Sequence, residues 1–237
     1  PPSEISRGVG VHPHRGIETI TFAYKGGVEH HDSKGNHGII NPGDVQWMTA
    51  GGGVLHKEYH EQTYSKSGGA FEMLQLWINL PKKHKMTEAK YQSIEHATKP
   101  EVKLPDNKGS VYVIAGDYKG TKGVATTFSP INIYDIHLNE KGECNFTVPA
   151  DFNTGILVID GAVTINGKEV AENHYAQLKN EAGEIQITAS KKTILLVLSG
   201  QPLNEPYVSY GPFVMNTEDE IKQAIEDYNN GKFGFLQ

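Results

Sequence analysis

The sequence predicts an all-β protein made of two barrels, with one helix near the C-terminus. Short runs of β-patterned residues are separated by turns that draw on 26 glycines and 12 prolines. A strand–turn–strand pattern of the first half returns in the second half, and only the C-terminal segment has helical periodicity. Many short strands at such spacing are typical of antiparallel sandwiches and barrels rather than of βαβ units.

The clearest strand pattern of the first half is residues 17–24. Its side chains alternate, so that Ile20, Phe22 and Tyr24 share one face. Two glycines then supply a turn, and residues 28–31 return as a second strand. Further strands are predicted over residues 38–40, 45–48, 71–79, 110–115, 131–138, 155–160, 162–165, 184–188 and 193–198.

Strand, tight turn and strand follow one another again over residues 156–167, which indicates a weak internal duplication. We therefore expect a first barrel over residues 1–115 and a turn-rich linker over residues 116–127. A second barrel is expected over residues 128–237, with a tail, residues 201–237, that packs back on the first barrel.

The tail contains the one clear helix signal. Residues 217–220 (TEDE) form a capping box, in which the Thr217 hydroxyl meets a free backbone amide and Glu220 reaches back. Apolar residues then recur at helical spacing from Ile221 to Tyr228, and Asn230-Gly231 ends the pattern. We expect this helix to cover a barrel.

Composition excludes several classes of function. The chain carries 22 basic and 28 acidic side chains and a net charge of −6, which argues against sequence-independent binding of nucleic acid. No apolar run approaches the roughly 18 residues of a membrane span. A single cysteine, Cys144, excludes an intrachain disulfide and suits a reducing compartment. The expected location is the cytoplasm, and also the nucleus if the source is eukaryotic.

Two short motifs predict a metal site. His12 and His14 are separated by one residue, as are His56 and Glu58. In extended backbone, side chains two residues apart share a face, so each pair can converge on one point. Three imidazoles and one carboxylate suit a first-row divalent ion and leave a coordination position open. The alternative is that these are ordinary surface or core pairs.

Other residues near these motifs carry weaker signals. Glu18 is interpreted either as a further ligand or, preferably, as an acceptor that orients an imidazole. Of His30 and His31 at most one can face inward, and exposure is the default expectation. The side chains predicted to form the barrel core, some of them near the metal, are Phe22, Trp47, Met48, Met73 and Trp77.

Long collinear motifs resemble the pirin family of the cupin superfamily. They are residues 12–21 (HPHRGIETIT), 41–51 (NPGDVQWMTAG), 55–58 (LHKE), 74–81 (LQLWINLP), 85–86 with 91–92, and 210–217 (YGPFVMNT). The resemblance covers essentially the whole chain and lacks only the family's extra N-terminal strands. It implies a bicupin, that is, two double-stranded β-helix or jelly-roll barrels. One departure is Gly52, where pirins often carry arginine.

The resemblance also implies a site and two functions. The family's ligands to a single ion carry over onto His12, His14, His56 and Glu58, and the implied ion is Fe²⁺, with nickel, cobalt, manganese, copper or zinc as alternatives. One implied function is quercetin 2,3-dioxygenase activity, with a flavonol-like substrate and O₂. Glu58, as the only anionic residue of the ligand set, is the candidate catalytic base, and the alternative is that it is solely a ligand. The other is an iron-dependent, redox-sensing regulator that binds transcription factors or metabolic enzymes. A sugar-binding or isomerase role, generic for cupins, has no supporting residue.

Overall fold

The computed structural model describes residues 1–237 and contains two compact units. The first unit combines residues 1–97 with residues 204–237, and the second comprises residues 98–203. This division falls earlier in the chain than the linker expected at residues 116–127. The reason is that residues 109–115 form a strand that pairs with residues 131–138, inside the sheet of the second unit.

Eight strands and one short helix build the first part of the first unit. The strands are β1 (Gly8–His14), β2 (Ile17–Lys25), β3 (Val28–Asp32), β4 (His37–Ile40), β5 (Val45–Thr49), β6 (Val54–His60), β7 (Glu72–Asn79) and β8 (Lys90–Ile94). Helix α1 (Gln62–Ser67) separates β6 from β7. Two four-stranded antiparallel sheets result, in the orders β1-β6-β3-β4 and β7-β2-β5-β8. Strand β6 therefore lies between β1 and β3.

Twelve strands build the second unit. They are β9 (Glu101–Lys103), β10 (Gly109–Ala115), β11 (Asp117–Tyr118), β12 (Thr121–Lys122), β13 (Ile131–Leu138), β14 (Glu143–Thr147), β15 (Asn153–Asp160), β16 (Ala162–Ile165), β17 (Lys168–Ala171), β18 (Tyr175–Gln177), β19 (Glu184–Ala189) and β20 (Thr193–Gly200). A six-stranded sheet, β18-β15-β20-β13-β10-β9, and a four-stranded sheet, β14-β19-β16-β17, contribute to one apolar core that includes Ile136, Val158 and Leu195. The all-β prediction is confirmed, and β15–Gly161–β16 is the predicted strand–turn–strand repeat.

The tail contains strands β21 (Val208–Tyr210) and β22 (Phe213–Met215) and helix α2 (Glu218–Asn229). Both hydrogen bonds of the predicted capping box are present, with Thr217 as the N-cap. Ile221 and Ala224 are buried in a cluster with Phe213 of β22. Three 3₁₀ turns, at Lys82–His84, His96–Thr98 and Pro105–Asn107, complete the secondary structure. None of the helices is long and apolar enough to cross a bilayer.

Candidate metal centre

The antiparallel pairing of β1 with β6 brings the two sequence motifs together. His12 lies directly opposite His56, and His14 lies opposite Val54. Because side chains two residues apart in a strand share a face, His14 and Glu58 project on the same side as the His12–His56 pair. The pairing register shifts between Val9 and His12. Such an irregularity re-aims side chains, and here it precedes the first histidine.

Three imidazoles converge inside the first unit. The candidate ligand atoms of His12, His14 and His56 all lie within 4.8 Å of one another. Their ring centroids are 4.2 to 5.0 Å apart. The carboxylate of Glu58 belongs to a second, overlapping group that it forms with His56 and His30 under the same distance limit. His56 thus belongs to both groups, and the two groups together contain all four predicted residues.

The nitrogens of this cluster are available to a metal. Both ring nitrogens of His14 and Nε2 of His56 are buried without a hydrogen-bond partner. His12 is held differently, because its Nδ1 lies 2.8 Å from the carbonyl oxygen of Gly10. A carbonyl only accepts, so Nδ1 of His12 donates and Nε2 keeps its lone pair. Unpartnered buried nitrogens are costly unless something binds them, and the donor set fits a divalent ion.

Burial keeps two of these histidines, His14 and His56, neutral. It lowers the pKa of His14 to about 4, with the neighbouring His12 adding to the effect. Burial lowers the pKa of His56 further, and the adjacent His14, His12 and His30 act in the same direction. Crowded imidazoles repel one another's protons, so at neutral pH these two rings carry lone pairs rather than positive charge. Neutral imidazole is the form that coordinates a metal.

Two side chains that the sequence analysis missed hold the carboxylate of Glu58. Thr21 on β2 donates its hydroxyl to Oε1 at 3.1 Å, and Gln75 on β7 donates Nε2 to Oε2 at 2.7 Å. The amide of Gln75 also donates to the Thr21 hydroxyl at 3.2 Å. The only available signal was a lone glutamine within the apolar run of residues 73–78, since an isolated buried amide needs partners. Together these bonds fix the orientation of the carboxylate.

His30 is buried, which corrects the expectation that it is exposed. Its side chain faces the cluster, because His30 lies opposite Glu58 in the β3–β6 pairing. Its Nδ1 lies 3.5 Å from Nδ1 of His56 and 3.3 Å from Nε2 of Gln46. Because side chains alternate along a strand, His31 points to the opposite face. This agrees with the prediction that at most one of the two histidines faces inward.

Glu18 does not orient an imidazole, which corrects the preferred interpretation. Its Oε1 accepts hydrogen bonds from Trp47 Nε1 at 2.9 Å and from the Thr49 hydroxyl at 2.7 Å. Burial raises the pKa of Glu18 despite these two bonds. Glu18 lies opposite Thr49 in the β2–β5 pairing, whereas its neighbours Thr19 and Thr21 project to the other face of β2. Alternation therefore separates Glu18 from the histidine side of the sheet.

The predicted core residues divide into two sets. Phe22, Trp47 and Met48 are buried as expected, and Met73 is partly buried and packs against a small apolar cluster. Trp77 is instead 50% exposed, and its ring lies edge-on to His14 at a centroid distance of 5.0 Å. It shares a face of β7 with Gln75, whose amide oxygen lies 3.4 Å from Trp77 Nε1. Trp77 therefore forms a solvent-accessible aromatic edge of the histidine cluster.

The chain matches family models and known proteins over most of its length. The family model for pirin matches residues 2–78, and that for the pirin C-terminal cupin domain matches residues 133–234. The crystal structure of a quercetin 2,3-dioxygenase from Acinetobacter baumannii is 49% identical, with a TM-score of 0.95 over 100% of this chain and 83% of that one. A Pseudomonas aeruginosa protein named "Putative quercetin 2,3-dioxygenase" is 46% identical over 98% of this chain and 82% of its own length. Human pirin is 37% identical over 94% of this chain and 77% of its own.

Proposed function

Because the chain belongs to the pirin family and folds as a bicupin, we propose that it is a mononuclear metal-dependent dioxygenase of the quercetin 2,3-dioxygenase type. The proposed substrates are O₂ and a flavonol or a related enol. The observation that carries the proposal is the convergence of His12, His14 and His56, whose buried nitrogens include three without hydrogen-bond partners. Similarity to two proteins named for this activity supports it.

The proposed ligands are His12, His14, His56 and Glu58, and the proposed ion is Fe²⁺. Three neutral imidazoles and one carboxylate leave the ion with a net positive charge and an open position. When bound, the ion would act as a Lewis acid that makes the enol hydroxyl more acidic and would hold O₂ near the ring.

Glu58 is the proposed catalytic base. It is the only anionic side chain among the four proposed ligands, so it alone can accept the hydroxyl proton of an arriving enol. Thr21 and Gln75 each donate to one of its oxygens, which holds the carboxylate in one orientation. Each oxygen retains a second lone pair for the ion or the proton. Trp77 offers a half-exposed flat surface beside His14 on which an aromatic ring can stack.

Flavonol bleaching tests the activity. Protein stripped of metal and reloaded anaerobically with Fe²⁺ is mixed with quercetin and then exposed to air. We expect the flavonol absorbance to disappear catalytically and carbon monoxide to be released. The His56→Ala protein should fail to bleach and should bind less than one ion at the proposed centre. Absence of bleaching with iron, nickel, cobalt, manganese, copper and zinc would contradict the enzymatic proposal, and a redox-dependent pull-down would then test the regulatory alternative.

The Glu58→Gln variant tests the base role separately. An amide can still coordinate weakly through its oxygen, but it cannot take up a proton. We expect the metal-loaded variant to bind substrate and to lose turnover at neutral pH. Full turnover by a Glu58→Gln protein that demonstrably retains its metal would show that Glu58 is a ligand only.

A further inference from the structure

A second group of potential metal ligands lies on the β3–β4 hairpin, on the face opposite the buried histidines. It consists of Glu29 and His31 on β3 and His37 on β4. His31 and His37 are direct partners across the two strands, so they share a face. Glu29, two residues before His31, shares that face as well. None of the three residues has a role in the proposed dioxygenase chemistry.

The three side chains already converge on one point. Nε2 of His31 lies 3.0 Å from Oε1 of Glu29, and Nε2 of His37 lies 3.1 Å from the same oxygen. The two imidazole centroids are 4.4 Å apart, within the 4.2 to 5.0 Å range of the His12, His14 and His56 cluster. Adjacent ligands of a tetrahedral ion with bonds of about 2.1 Å are separated by about 3.4 Å. Only small side-chain shifts are needed to admit an ion.

The backbone that carries these residues is fixed in place. The carboxylate of Asp32 accepts hydrogen bonds in the turn between β3 and β4, from the backbone N–H groups of Lys34 at 2.9 Å and Asn36 at 3.0 Å. The side-chain amide of Asn36 donates to the other oxygen at 2.8 Å. On its other edge, β3 is paired with β6. The hairpin thus presents the three side chains from a rigid frame, which reduces the entropy lost on binding an ion.

We propose that Glu29, His31 and His37 bind a second divalent cation, Zn²⁺, independently of the central site. Two imidazoles and one carboxylate are a common ligand set for zinc, with water in the remaining position. Each imidazole would coordinate through Nε2 in its Nδ1–H form. The side chains of Glu29, His31 and His37 are 29%, 37% and 50% exposed, so water can reach the ion. The ion would connect the two strands of the hairpin.

Zinc stoichiometry tests this proposal without reference to activity. The full chain, stripped with a chelator, is dialysed against Zn²⁺, and bound metal is measured. We expect two ions per chain for the wild-type protein and one for the His37→Ala, His31→Ala and Glu29→Gln variants. The matched control is His174→Ala, which removes an exposed imidazole from the second unit and should leave both ions bound. Circular dichroism confirms that each variant is folded.

A second measurement separates the two sites. In the His56→Ala background, which impairs the central cluster, Zn²⁺ should still raise Tm, because the hairpin ligands remain. The combined His56→Ala and His37→Ala protein should lose that shift. The proposal is overturned if His37→Ala binds as much zinc as the wild type, or if the wild type binds one ion that His56→Ala abolishes.

Discussion

The side-chain amide of Gln75 lies 2.7 Å from Oε2 of Glu58 and donates a hydrogen bond to it. The two residues belong to different sheets of the first unit, Gln75 to β7 and Glu58 to β6. The contact therefore joins the sheets beside the histidine cluster. Gln75 also accepts a longer bond from Trp77, so one amide connects the carboxylate to the exposed aromatic edge of the site.

Replacing Gln75 should weaken metal binding although it is not a proposed ligand. In the Gln75→Leu variant the Glu58 carboxylate loses its shortest hydrogen bond and its fixed orientation. Loss of such a supporting contact typically lowers metal affinity about 10- to 100-fold. Chelator competition measures the affinity, and Gln186→Leu, an exposed position of the second unit, is the matched control. Equal affinities of the Gln75→Leu and wild-type proteins would contradict this role.

Asp227 should stabilise the protein in a pH-dependent way. Its carboxylate oxygens lie 2.7 Å from Lys232 Nζ and 2.9 Å from Arg15 Nη1. Hydrogen bonds from Lys232, Arg15 and Gln223 lower the pKa of Asp227 to about 2. A pKa below the usual value of about 3.9 means that the stabilisation is complete above about pH 4 and disappears as the pH falls towards 2. Asp227→Asn should cost about 2 kcal/mol at pH 7.

Urea unfolding between pH 7 and pH 2.5 measures the difference in free energy of unfolding between the wild-type and Asp227→Asn proteins. It should shrink steadily below about pH 4. Asp219→Asn, which changes an exposed carboxylate of the same helix, is the control and should leave stability nearly unchanged. A difference between wild-type and Asp227→Asn protein that does not vary with pH would exclude the ionic origin.

The N-cap of helix α2 should contribute measurably to the free energy of unfolding. The hydroxyl of Thr217 accepts from the backbone N–H of Glu220 at 3.2 Å, and the Glu220 carboxylate accepts from the N–H of Thr217 at 2.9 Å. Thr217→Ala should lower the free energy of unfolding by about 1 kcal/mol, because one helical N–H loses its acceptor. Thr217→Ser keeps the hydroxyl and should stay near wild type. Equal losses in both variants would contradict a capping role.

Cys144 should be unreactive in the folded protein. It is buried, and burial raises the pKa of its thiol to about 12, so almost no thiolate is present at pH 8. A chromogenic disulfide reagent should detect no thiol in native protein and one thiol per chain in denaturant, since the sequence has one cysteine. Rapid labelling of native protein at pH 8 would show that this region opens easily.

The sequence alone determined the fold class, the capped helix and the two motifs of the proposed metal centre. These are local properties: alternation sets which side chains share a strand face, and Thr217 and Glu220 lie three residues apart whatever surrounds them. His12 and His14 share one strand face, as do His56 and Glu58, because side chains in a strand alternate with a two-residue period. The family resemblance, carried by long collinear motifs, was likewise present in the sequence and is confirmed by the comparisons.

Tertiary structure decided which strands meet, and with them the surroundings of the site. Strand β6 lies between β1 and β3, so it places His56 opposite His12 and Glu58 opposite His30. Gln75 reaches Glu58 from another sheet, and no spacing in the chain encodes that contact. The exposure of Trp77 and the partners of Glu18 also depend on strand pairing. Periodicity specifies the face of a strand, but its neighbours are chosen by the packing of the whole barrel, which is non-local.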